Sequence, residues 1–392
     1  MKKLKRGMLL LAELLKYETA WICGMVWKCF CRSYRNVWLI SERGREARDN
    51  GFHFFAYVTS EHPEINAWYV ADKELPDYKR VQKMGNTVPY RSWKHYMMCA
   101  VSKIKISTHI LGYTPDIEQY YMLDKLHVVH GKRAFLQYGI IQNDMAWYHY
   151  PNVRTDLFVC SVPAEATFVQ EKFQYPKGVV KCTGLCRFDA LIKQKAKKRQ
   201  LLIMPTWRSY AVEGKTKETF IETKYYQKYQ QLIQAPWLKD LLERYDYTAV
   251  FYPHYEVQRF ISAFHTENPR IQIGKLGEKD VQKLLVESGI LITDFSSVHF
   301  DFAYMEKPVV YYQFDKEQFY GEHYAKGYFT YEKDGFGPVV REAEELCRAL
   351  TSILKYGRLE ERYEQRIQQF FPLIDNRNCE RNYDAVNELL RS

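Results

Sequence analysis

The sequence predicts an α/β protein: two doubly wound, Rossmann-like domains in tandem with a cleft between them, preceded by an amphipathic helix. Three observations carry this. The chain has 392 residues, too many for one ordinary core and suited to two domains of about 150–200 residues each. Short apolar runs alternate with helical segments, as in parallel strands joined by crossover helices. The basic stretch IKQKAKKRQ at 192–200, nearly free of large apolar side chains, divides the chain, and the same alternation restarts after it.

Taken in order, residues 1–36 form a basic segment. They hold eight Lys/Arg against Glu13 and Glu18, so six of the ten net positive charges lie in less than a tenth of the chain. Concentrated positive charge suits an anionic membrane surface or nucleic acid. Residues 8–27 read MLLLAELLKYETAWICGMVW. No small-residue cleavage site follows, and Glu13, Lys16 and Glu18 interrupt the run short of the roughly 20 apolar residues of a membrane span. Met8, Leu11, Leu15, Ile22 and Val26 recur at helical spacing beside Trp21 and Trp27, which fits a helix lying at an interface. The charge is interleaved with this apolar face and no recognition motif accompanies it, so nucleic acid is not the expected partner.

The first domain spans 37–191. Its strand candidates are VWLI (37–40), INAWYV (65–70), KIKISTHI (103–110), AFLQYGI (134–140), DLFVCSV (156–162) and VVKCTG (179–184). Glu42, Arg45, Asp49 and Asn50 form a polar loop before the helix FHFFAYVTSEH, with Asp49 or Asn50 as its cap. The 192–200 linker leads to a second domain, 201–392. LLIMPTW, TAVFYPH, IQIG, ILITDF and VVYYQF are its strand candidates, and its last segment, from Glu342, is helical. Nine scattered cysteines without a CxxC pair read as reduced thiols rather than a disulfide framework or a zinc site.

The most informative stretch is ILITDFSSVHFDFAYMEKPVVYYQF (290–314). Thr293, Ser296 and Ser297 fall where strand gives way to helix. Free N–H groups and the macrodipole at a helix start attract anions, and nearby hydroxyls add donors to phosphate oxygens. The plainer reading is an N-cap by Ser296 or Asp294, but a cap needs one polar residue and four are present.

This run resembles the signature of the CDP-glycerol glycerophosphotransferase family, whose members build teichoic acids and related polyol-phosphate polymers. LISERGREARDNGFHFFAYV (39–58), FLQYGIIQND (135–144), TGLCRFD (183–189), PTWR (205–208) and FYPH (251–254) resemble its other blocks in the same order. The resemblance implies a GT-B fold, a CDP-alditol donor bound mainly by the second domain, an acceptor held by the first, and peripheral attachment at the cytoplasmic face of the membrane.

The residues agree with that implication. Arg208 ends the first strand of the second domain, where its fork would meet a diphosphate; a surface salt bridge is the alternative. His254 ends the next strand, where an imidazolium would assist the leaving CMP phosphate. Asp301, one turn into the helix after Ser297, would contact the alditol or lie on the helix surface. Arg187 would tie the first domain to the linker.

One position departs from the resemblance. Family members commonly carry His-Gly where this chain has Tyr138-Gly139, and that His is the presumed base for the acceptor hydroxyl. A phenol, with a reference pKa of about 10, is mostly protonated at neutral pH. Three readings stand: Tyr138 works with nearby cations, His109 or Asp144 is the base, or the chain binds donor without turning it over.

The expected activity is transfer of glycerol phosphate or ribitol phosphate from CDP-glycerol or CDP-ribitol to a lipid-linked acceptor. A nucleotide-sugar glycosyltransferase and a non-catalytic donor-binding paralogue are the alternatives. No GxxxxGK[ST] loop or metal-ligand cluster appears, so no cofactor is required by the sequence and Mg2+ stays open.

Overall fold

The structure is a computed structural model that describes residues 2–43, 47–192, 198–322 and 325–392. Arg45 and most of the 192–200 linker lie outside the described residues. The chain forms two compact units. The first contains residues 1–140, 146–190 and 375–392, and the second 141–145 and 191–374.

The first unit is built on seven parallel strands: β1 (Trp38–Ser41), β2 (Ala67–Ala71), β3 (Asn86–Pro89), β4 (Ile104–Ser107), β5 (Lys132–Phe135), β6 (Leu157–Cys160) and β7 (Val180–Cys182). Their order is β3-β2-β1-β4-β5-β6-β7. The second has six: β8 (Gln200–Ile203), β9 (Thr248–Phe251), β10 (Ile271–Ile273), β11 (Ile290–Thr293), β12 (Val309–Tyr312) and β13 (Val339–Val340), in the order β10-β9-β8-β11-β12-β13. The sequence pattern located eleven of these strands. It missed β3, which has only one buried residue, and β13, which is two residues long.

Central strands are buried on both faces, as helix-covered parallel sheets require. Alternate residues feed opposite faces. In the first unit Trp38, Ile40, Tyr69 and Ile106 join one core with Phe54 and Phe55 of α2 (Asn50–Glu61), while Leu39, Trp68 and Val70 join another with the helix Trp93–Val101.

Helix α1 (Lys2–Phe30) belongs to the first unit rather than standing apart as a 1–36 segment. Tyr17 and Ala20 enter its core. A Cβ at Gly24 would lie 2.8 Å from Val101 Cγ1, so α1 lies close on the helix Trp93–Val101. The other face stays exposed, with Met8, Leu11, Leu15, Ile22 and Val26 all more than half accessible. No helix of the described residues is long and apolar enough to cross a membrane.

The C-terminal boundary also differs from the sequence reading. The helix Asn378–Arg391 packs in the first unit, not in a 201–392 domain. Asp189 accepts from the N–H groups of Asn378 (2.9 Å) and Cys379 (2.8 Å), capping the helix. Cys379, Ala385 and Val386 then fill the core that includes Trp38 and Phe54.

Candidate active site

Strand order reverses between β1 and β4 in the first unit and between β8 and β11 in the second. In open α/β sheets the carboxyl ends at such a reversal form the usual ligand crevice. The chain places Pro205–Arg208 after β8 and Asp294–Ser297 after β11.

A buried ion-pair group joins these two loops. Asp294 Oδ1 accepts from the N–H groups of Thr206 (2.8 Å) and Phe295 (2.6 Å). Its Oδ2 accepts from Arg208 Nη2 (2.8 Å) and the Tyr229 hydroxyl (2.9 Å). Asp315, just beyond β12, receives Arg208 Nε at 2.7 Å and Nη2 at 3.1 Å, with the Tyr210 hydroxyl as a further donor. Arg208 Nη1 donates to the carbonyls of Thr206 (2.8 Å) and Trp207 (3.4 Å). Burial opposes ionisation of Asp315, but the Arg208 charge and the hydrogen bonds from Arg208 and Tyr210 hold its pKa below the usual carboxylate value.

This corrects the expectation for Arg208. Its guanidinium is fully buried and engaged at every nitrogen, so it fixes the two loops to each other and presents no fork to a diphosphate. Thr293 is corrected for the same reason: it is buried and its hydroxyl donates to Met204 O at 2.7 Å. Asp301 is buried rather than on the surface of its short helix, Val298–Tyr304.

Ser296 and Ser297 remain half-buried at the start of that helix, and neither carries a strong cap bond. Ser296 Oγ accepts from Val298 N–H at a long 3.5 Å. His254 is also half-buried. Its backbone N–H donates to Pro205 O at 3.3 Å, its Nδ1 accepts from Glu256 N–H at 3.3 Å, and its ring stacks on Trp207 at 6.2 Å. Because Nδ1 accepts, a neutral His254 carries its proton on Nε2.

In the first unit the turn after β5 is made at Gln137, whose φ is +59°, one residue before Tyr138 and not at Gly139. Gln137 Nε2 donates to Val159 O (2.5 Å) and Glu165 Oε1 (3.1 Å), and its carbonyl accepts from Asn50 Nδ2 at 2.8 Å. These bonds hold a backbone conformation that a side-chain-bearing residue otherwise avoids. Tyr138 itself is 44% exposed. Arg187 serves this turn rather than the linker, donating from Nη1 to Tyr138 O at 2.7 Å and to Asp49 Oδ1 at 3.0 Å.

Glu42 occupies the start of α2, accepting from the N–H groups of Arg48, Asp49 and Phe52. Those amides are therefore already satisfied by a carboxylate of the protein. His109 is half-buried and its Nδ1 accepts from Leu111 N–H at 3.3 Å. Burial, then the nearby Arg43 charge, lowers its pKa to about 4. Asp144 lies in the second unit, where its N–H bridges to Ala325 O at 3.3 Å. Sequence reasoning missed Asp315, which follows the VVYYQF run, and Gln142, which lies within FLQYGIIQND but was not singled out there, because their partners are distant in sequence. No group of three or more His, Cys, Asp or Glu that could hold a metal ion occurs among the described residues.

Comparison with known proteins identifies the family and the fold. The family model described as CDP-Glycerol:Poly(glycerophosphate) glycerophosphotransferase matches residues 24–388. The chain is 32% identical over 368 residues to the minor teichoic acid biosynthesis protein GgaB of Bacillus subtilis (strain 168); the match covers 90% of this chain but 40% of that protein's length. It is 25% identical over 334 residues to the teichoic acid poly(glycerol phosphate) polymerase of Bacillus spizizenii, covering 82% and 76%. A solved structure of the wall teichoic acid polymerase TagF superposes with a TM-score of 0.66 at 14% identity, covering 96% of this chain and 98% of that one. That likeness shows a shared fold.

Proposed function

The chain belongs to the CDP-glycerol:poly(glycerophosphate) glycerophosphotransferase family, and from that premise we propose that it transfers glycerol phosphate, or ribitol phosphate, from a CDP-alditol to a hydroxyl of a lipid-linked acceptor. The product would enter a teichoic acid or capsular polymer. The observation that carries the reading is the family match across residues 24–388.

In this reaction the acceptor oxygen bonds to the donor's β-phosphorus, the bond from that phosphorus to the bridging oxygen breaks, and CMP leaves. Such transfer depends mainly on positioning and charge stabilisation. Ser296 and Ser297, with the amides that follow them, would bind diphosphate oxygens. Asp294 and Arg208 would keep that loop against Thr206. His254, with its proton on Nε2, would donate to the departing CMP phosphate. Tyr138 would orient the attacking hydroxyl. His109 is the poorest of the candidate bases, because its Nδ1 already accepts a hydrogen bond and its pKa is lowered to about 4; Tyr138 and Asp144 remain.

The first unit would hold the acceptor and the second the donor. The exposed apolar face of α1 and its basic residues support attachment to an anionic membrane surface on the cytoplasmic side. The Tyr138-Gly139 departure favours one competing reading, a paralogue that binds donor without turnover.

Labelled CDP-glycerol, CDP-ribitol and UDP-sugars incubated with the protein and a membrane acceptor separate these readings. CMP release from a CDP-alditol is expected. Binding without release identifies the non-catalytic paralogue, and release of UDP alone identifies a glycosyltransferase.

A further inference from the structure

Residues 141–145 belong to the second unit although the residues on either side belong to the first. Their seat is close. A Cβ at Gly327 would lie 2.0 Å from Gln142 O, and Asp144 N–H reaches Ala325 O. From this segment the Gln142 side chain, only 5% exposed, enters a set of directional bonds.

Gln142 Nε2 donates to the carbonyl of Phe295 at 2.8 Å. Its Oε1 accepts from the Tyr331 hydroxyl at 3.2 Å and faces His299 Nε2 at 3.1 Å. A carbonyl oxygen only accepts, so His299 carries its proton on Nε2 and its Nδ1 accepts from the Tyr311 hydroxyl at 2.9 Å. The Tyr311 oxygen in turn accepts from Phe336 N–H at 3.2 Å. Burial lowers the pKa of His299 well below the ordinary value, in keeping with a neutral ring. The opposite amide orientation would set Oε1 against the Phe295 carbonyl, so the bonds permit one arrangement.

Phe295 is the residue immediately before Ser296 and Ser297. Its N–H is held by Asp294 Oδ1, and its ring stacks on Phe319 at 3.9 Å with the Arg208 guanidinium 4.9 Å away. Its carbonyl is held by Gln142.

We propose that Gln142 is a positioning residue for the Phe295–Ser297 loop, setting the Phe295 carbonyl and thereby the direction in which Ser296 and Ser297 face a phosphate group. The functional part of this inference rests on the reading of that loop as the donor site. Burial alone does not account for the bond pattern. A buried amide needs partners, but a leucine of similar size needs none, and it would leave Phe295 O, His299 and Tyr331 without this partner.

The test uses the full chain with Gln142→Leu and Gln142→Glu. Glu keeps an acceptor for His299 and Tyr331 but has no N–H for Phe295 O at neutral pH, so it separates loop positioning from general satisfaction of the buried groups. Amide hydrogen exchange is measured on peptides spanning 294–299, and CDP-glycerol binding by titration. Both variants are expected to exchange about tenfold faster in that segment, the scale of one lost hydrogen bond, with β8 and β11 unchanged and CDP-glycerol bound about tenfold more weakly. Wild-type exchange at 294–299 in either variant, or acceleration spread evenly over the unit, overturns the proposal. Local acceleration together with a wild-type protein that binds no CDP-glycerol upholds the positioning role and rejects the donor reading.

Discussion

Arg187 donates from one nitrogen, Nη1, to both the carbonyl of Tyr138 and the carboxylate of Asp49, while its own N–H donates to Asn50 Oδ1 at 3.0 Å. Asn50 in turn donates to Gln137 O. The backbone of the turn is thus fixed from α2 and from the loop after β7, although the Tyr138 ring is 44% exposed. A held backbone beneath an exposed phenol suits a group that must be placed rather than packed.

Replacing Tyr138 therefore tests function with little effect on stability. Tyr138→Phe is expected to lower CMP release by about 10²-fold, the lower edge of the range for positioned proton-handling groups, with an unchanged melting temperature. Tyr138→His is expected to retain activity and to add an inflection near pH 6.5, the reference value of imidazole. Wild-type turnover by the Phe variant would remove the hydroxyl from the mechanism.

Arg208 is expected to behave as a structural residue. Arg208→Ala leaves Asp294 and Asp315 buried without their shared cation, and breaking such a pair costs about 3–5 kcal/mol. Urea titration should show this loss. A variant of wild-type stability with weakened donor affinity would return Arg208 to the role of a direct ligand.

His254→Asn preserves a side-chain acceptor for Glu256 N–H and removes the proton carried on Nε2. Its kcat is expected to fall about 10²-fold or more while thermal stability stays near wild type. Equal loss of kcat and stability would mean that His254 acts only as a cap.

The two faces of α1 should separate by mutation. Glutamate at Leu11, Leu15 and Ile22, all more than half exposed, is expected to reduce co-sedimentation with anionic vesicles and to leave unfolding unchanged. Deleting residues 1–30 removes Tyr17 and Ala20 from a core and is expected to destabilise the first unit. Unchanged vesicle binding by the triple variant would exclude this face as the contact.

Acid should destabilise the protein through its buried neutral histidines. Burial, followed by the charges of Arg91 and Lys16, lowers the pKa of His95 to about 3; burial and Arg43 lower that of His109 to about 4. The unfolded chain takes up these protons near pH 6.5 and the folded chain does not. Stability present above pH 6.5 is therefore lost as pH falls toward 3–4, by up to about 1.4 kcal/mol per pH unit for each histidine. Urea unfolding from pH 7 to pH 4 measures the slope, and His95→Gln should reduce it.

Much of this was legible in the chain itself. Apolar runs marked the central strands because both faces of a parallel sheet are covered, and PTWR and TDFSS stood out as polar clusters at strand ends, although Arg208, Thr293 and Asp294 in them prove to be buried and structural. The strand β3 escaped because only Val88 of its residues is buried, and the helix Asn378–Arg391 was assigned to the wrong unit because nothing local in its sequence names Asp189 as its cap.

The sequence by itself determined the alternation of strands and helices, the position of the polar loops at their carboxyl ends and the two-sided character of α1, since each follows from local periodicity. Tertiary structure alone decided what the side chains in those loops do. Arg208 turns inward because Asp315, 107 residues away, and Asp294 satisfy a charge that could not otherwise be buried. Gln142 matters because a five-residue segment carries its amide to the Phe295 carbonyl, 153 residues distant. Such pairings depend on desolvation and on direction in space, neither of which is encoded in residue spacing.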